Sequence, residues 1–153
     1  MKIILLFPLL FLVKFQKVYP VILTEEIELA SCPNSPNCVS TQEKRNRKRM
    51  RPIKIRHNTK YAMMKMKLLL DDDDDFKRAK LIEEKENYLY YEFTTKVGKF
   101  IDDVEFLFDE KTKQIHFRSA SRKGWSDMGK NRRRMKKIRK LYETTTVTWT
   151  PEF

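Results

Sequence analysis

From residue 78 to 119, apolar and polar side chains alternate at a period of two, as in strands with one buried face. The pattern predicts strands at 78–84, 88–95, 101–108 and 114–119. The links between them are Glu86-Asn87, residues 96–99 around Gly98, and residues 110–113, short enough to favour an antiparallel meander. In the third strand Val104, Phe106 and Phe108 share one face, while Asp103, Glu105 and Leu107 share the other. In the fourth, Ile115 and Phe117 alternate with His116 and Arg118. Matching the apolar faces places Phe106 opposite Phe117 and Glu105 opposite Arg118.

Outside this stretch the period lengthens. Asn58 can cap a helix over 59–70, with Tyr61, Met64 and Leu68 as its apolar stripe and the five aspartates 71–75 beyond its end. A second helix is expected from Ser126-Asp127 to about Tyr142, burying Met128, Met135, Ile138 and Tyr142. Residues 144–153 are β-prone and read as an edge strand or tail. The expected fold class is α+β: an antiparallel meander of about four strands with two helices on one face.

The first residues have a different pattern. Lys2, an apolar run over 3–13 and then Lys14 form the layout of a secretory signal peptide. The run is shorter than the ~20 residues a comfortable membrane span needs. Adding residues 15–23 gives an uncleaved anchor instead, and no Ala-x-Ala cleavage site follows. Leu29-Ala30-Ser31-Cys32 has the form of a lipoprotein box, but the acidic segment 24–28 separates it from the apolar run. The chain thus divides into a signal peptide or membrane anchor at 1–23, a Cys loop and basic linker at 24–57, a core at 58–143 and a tail at 144–153. The expected location is exported or membrane-associated: a bacterial envelope, or an organelle lumen.

Charge changes the picture further. Of a net +12, nine Lys/Arg and no acid fall in 44–60, and ten against Asp127 fall in 122–140. Residues 70–110 hold fourteen of the 21 carboxylates. Two basic faces flank an acidic middle, an arrangement that is either a solvated surface or an attractor of polyanions.

The stretch 118–132 concentrates hydroxyls, two glycines and cationic forks between a strand and a helix. Arg118, Ser119, Ser121, Arg122, Ser126, Asp127, Asn131 and Arg132 are the groups an anionic ligand would use there. The alternative is an internal network in which Arg118 and Arg122 pair with Asp102, Asp103 or Asp127 while the hydroxyls cap the helix. Asp102 and Asp103 point to opposite faces of a regular strand, so they form no tight carboxylate pair. Asp103 and Glu105 share a face near Arg118. Asp102 falls on the apolar row and needs a partner, for which Arg122 or the loop hydroxyls and amides are candidates. A nucleophile set of Ser119 or Ser121, His116 and Asp103 can be written down, but no nucleophile-elbow pattern supports it.

Cys32 and Cys38 enclose five residues, a spacing that admits a small disulfide worth about 2 kcal/mol, or two reduced thiols. With His57 or His116 they match no zinc module, so neither metal nor cofactor is implied.

CPNSPNCVS from Cys32, FIDDVEF from Phe100 and RSASRxGxSDxGxNR from Arg118 strongly resemble the family catalogued as domain of unknown function 1499. The resemblance runs in order over roughly residues 32–142. It implies a small exported or membrane-associated protein and carries no activity. The basic stretch 43–56 and the aspartate run depart from the usual pattern.

Three functions compete on these grounds. A binding module would offer the 118–132 loop and basic helix to an anionic lipid, a polysaccharide or a small anion. A small hydrolase-like enzyme would need a pocket beside the loop. A structural envelope protein would use the ion network only to hold its fold. Nucleic acid ranks last as a partner, since no base-reading module is present.

Overall fold

The computed structural model describes residues 28–147. The predicted targeting segment at 1–23 and the tail from 148 onward lie outside the described residues. Six strands form one antiparallel sheet: β1 (Cys38–Ser40), β2 (Ile53–Lys54), β3 (Ala79–Lys85), β4 (Tyr88–Thr94), β5 (Ile101–Asp109) and β6 (Gln114–Ser121). The order is β1-β6-β5-β4-β3, with β2 also pairing the β6 edge. Helices α1 (Thr59–Asp72) and α2 (Lys130–Thr144) pack on one face. The fold is α+β, a meander with two short strands added at its edge.

The register follows side-chain parity. Phe106 lies opposite Phe117, Glu105 opposite Arg118 and Val104 opposite Ser119. Phe106, Phe117, Ile115, Tyr91 and Leu89 are buried under the helices with Met66, Leu70, Met135 and Ile138. This core excludes water from the inner sheet face and supplies the main driving force for folding.

Four expectations are corrected. Helix α1, capped by Asn58 Oδ1 accepting from Tyr61 N at 2.7 Å, buries Ala62, Met63, Met66, Leu69 and Leu70, not the Tyr61–Met64–Leu68 stripe. It also takes in Asp71 and Asp72, and Lys137 of α2 pairs with Asp73 and Asp75 beyond its end. Met128 lies outside α2 and is exposed, because Gly129 adopts a left-handed φ of 74° and the helix begins after it. The segment 42–56 is more than a surface linker: Met50, Ile53 and Ile55 enter the core and β2 pairs with β6.

Cys32 and Cys38 form a disulfide, so Cys32 has no free thiol for lipidation. The bond is consistent with an exported protein. Among the described residues no helix is long and apolar enough to cross a membrane.

Candidate functional site

Strands β5 and β6 divide the candidate residues between the two faces of the sheet, because neighbouring side chains point in opposite directions. Asp102, Ser119 and Ser121 face inward, towards α2. Arg134, one turn into that helix, meets them. Its guanidinium donates to Asp102 Oδ2, to Ser119 Oγ at 3.1 Å and to Asn131 Oδ1 at 2.6 Å, and stacks 4.8 Å over the Phe93 ring. Ser119 Oγ donates to Asn131 Oδ1 at 2.6 Å. Asn131 Nδ2 donates to Asn37 O at 2.9 Å and to Ser121 Oγ at 3.0 Å. Asn37 Nδ2 donates in turn to the carbonyls of Ser121 and Gly124. Asp102, Ser119 and Asn131 are fully enclosed, and this closed circuit meets the requirement that buried polar groups be bonded. The partner of Asp102 is thus Arg134, which the sequence reading did not name; Arg122 is on the opposite face.

That outer face carries a second network. Arg122 Nε donates to Asp103 Oδ1 at 2.9 Å, and its NH2 donates to Tyr90 Oη at 2.7 Å and to Glu92. Tyr90 Oη itself donates to Asp103 Oδ1 at 2.7 Å. Bonds to Asp103, Glu92 and Tyr90 push the Arg122 pKa up, and burial, then the bond to Asp103, pushes Tyr90 up. Beside them Arg118 NH1 donates to Glu105 Oε2 at 2.8 Å, and Tyr88 Oη donates to Glu105 Oε1 at 3.0 Å. Arg118 Nε is buried and meets no acceptor among the described residues.

The remaining loop residues also bond within the chain. Ser126 Oγ accepts from Met128 N at 3.3 Å, and Asp127 accepts from Gly129 N and Asn131 N at 2.9 and 2.7 Å. Asp127 therefore caps α2 from before its first turn. Arg132 donates to the carbonyls of Arg47 and Arg49. The eight predicted ligand residues thus gather around one end of β6 but divide between two networks, a cap and, for Arg132, the carbonyls of residues 47 and 49.

The nucleophile set does not assemble. His116 faces outward and Ser119 and Ser121 inward, so the sheet separates them. His116 Nδ1 lies 3.2 Å from Thr41 Oγ1, and burial pushes its pKa down. His57 packs edge-on against Tyr61 instead of approaching the cysteines. Among the described residues no cluster of His, Cys, Asp and Glu could hold a metal. Two concavities, of about 540 and 1390 Å³, open near His116 and along α1, and no residue of 118–127 lines either.

The use the fold makes of the basic stretch 44–51 has no local signature in the sequence. Glu43 accepts from Arg45, a contact that holds its carboxyl at a pKa of about 2. Arg45 also reaches Cys32 O, and Lys48 reaches Pro33 O and Ser35 O, fastening the arm to the disulfide loop. On the other side Arg132 and Arg139 donate to arm carbonyls at Arg47, Arg49 and Arg51. The arm therefore lies along α2, and its exposed Arg47, Arg49 and Arg51 join Lys130, Arg133, Lys136 and Lys140. None of these seven has an ion pair among the described residues. Burial, with Arg51 close by, pushes the Arg139 pKa down. The two charge runs were visible in the sequence, but nothing local indicated that one folds onto the other.

A family model described as protein of unknown function (DUF1499) matches residues 28–141. No curated protein and no solved structure matches the chain.

Proposed function

We propose that this chain, which belongs to the DUF1499 family, is an exported or membrane-associated binding module whose basic face docks onto a polyanionic surface. The observation that carries the reading is the juxtaposition of two like-charged segments. Arg132 and Arg139 spend their guanidinium groups holding the arm carbonyls, which leaves the arm's own arginines beside the lysines of α2. Crowding cations on one face raises the energy of the free protein and focuses a positive potential that phosphate, sulfate or carboxylate groups relieve. The disulfide suits an oxidising compartment, and the apolar N-terminal run suits export. The face that binds is α2 with the arm, since the eight residues first assigned to an anion in the 118–132 loop each bond within the chain.

The test is retention on heparin as a function of salt. Reversing Arg133, Lys136 and Lys140 to Glu should weaken binding at least about tenfold and flatten its salt dependence. Arg122→Ala, on the opposite sheet face, should change neither. Elution of the wild type and the triple variant at the same salt would sink the reading. That result would leave a structural envelope protein, the reading favoured by the closed circuit around Asn131.

A further inference from the structure

The four most exposed large apolar side chains of the described residues are Met128 (83%), Val97 (78%), Trp125 (72%) and Phe100 (48%). They come from two segments distant in sequence, the β4–β5 turn and the β6–α2 loop. The sheet brings these together: Asp102 pairs with Ser121, and Arg122 N donates to Ile101 O at 3.1 Å. Both segments therefore leave the same end of the sheet side by side.

Each is braced. Thr95 Oγ1 donates to Val97 O and accepts from Phe100 N, at 2.8 and 2.9 Å. Gly98 is at φ 77°, and a Cβ there would sit 2.4 Å from the Phe100 ring, so glycine lets that ring lie across the turn. Asn37 holds Gly124 O at 2.6 Å and Asp127 fixes the approach to α2. The apolar side chains are thus presented on built loops.

Around them stand Lys96, Lys99 and Lys123, exposed and without ion pairs among the described residues. The one acid of the loop, Asp127, is spent as a cap. We propose that this end of the sheet is a membrane-inserting tip for the interface of an anionic lipid bilayer. Trp125 and Phe100 suit the headgroup boundary, Val97 and Met128 suit the acyl region beneath it, and lysine stems reach back to phosphates. A protein partner would have to offer carboxylates opposite these three lysines as well as an apolar pocket, whereas an anionic bilayer supplies the charge and the apolar depth together. A soluble polyanion would use the lysines but would leave the aliphatic side chains in water. The inference rests on the polyanion reading above, since Lys130 and Arg133 continue the lysine collar into the basic face, and it names the surface.

The experiment places Trp125 as sole indole in a Trp149→Phe background. Phosphatidylcholine vesicles containing phosphatidylglycerol should shift its emission to the blue, and brominated lipids should quench it; heparin should do neither. Trp125→Ala with Met128→Ala, both at exposed positions, should weaken vesicle co-sedimentation about tenfold while leaving heparin retention unchanged. Vesicle binding without a blue shift, and untouched by the double substitution, would overturn the tip and leave the polyanion reading standing. Heparin retention with no vesicle binding would do the same. Failure to bind either would overturn both.

Discussion

Asp102 and Asp103 are chain neighbours with the same side chain, and the sheet gives them different surroundings. Asp102 is directed inward, where its side chain is 2% exposed and faces Arg134 within the closed circuit of Ser119 and Asn131. Asp103 is directed outward, with a side chain 24% exposed and shared between Arg122 and Tyr90. Glu105, two residues on, is intermediate at 16%, between Arg118 and Tyr88. Three of the four carboxylates on β5 are thus each paired to an arginine, at graded depth. The lesson is that an ion pair's importance is set by how much water is available to replace the missing partner.

Removing the buried carboxylate should do the most damage. Asp102→Ala strands Arg134 in the interior and should cost about 3–5 kcal/mol in urea unfolding. A loss no greater than that at a surface pair would mean the guanidinium escapes to solvent, and the distinction between the faces would fail. Glu105→Ala should cost less, about 1–2 kcal/mol, because it frees the Tyr88 hydroxyl and an Arg118 whose Nε already has no partner. Asp103→Ala should have the smallest effect, one that added salt erases, since Arg122 keeps Glu92 and Tyr90. Finding the order of the three inverted would show that depth is not the controlling variable.

The sheet was the most legible part of the sequence. Strand parity leaves two choices, and the row of Val104, Phe106 and Phe108 on β5 with Ile115 and Phe117 on β6 selects the one that sets Phe106 against Phe117. Helix α1 was less so. Its sequence is apolar around most of its circumference, with Tyr61, Ala62, Met63, Met64, Met66 and Leu68 to Leu70, so more than one stripe satisfies the helical period and only packing chooses. Met50, Ile53 and Ile55 are spaced too thinly among arginines to signal a core segment. For the site, the gathering of residues 118–132 with the acids of β5 was readable, but their commitments were not. The partner of Asp102 sits 32 residues on, and the arm that Arg132 and Arg139 hold lies more than 80 residues before them.

Leu29 packs against Tyr88 and Leu107, six positions along β5 from Ile101 and therefore about 20 Å from the turn that carries Phe100. A pull between the incoming chain and that turn is consequently directed along the strands. Inter-strand hydrogen bonds run across this direction, so the load falls on many of them together in shear and does not peel them apart one by one.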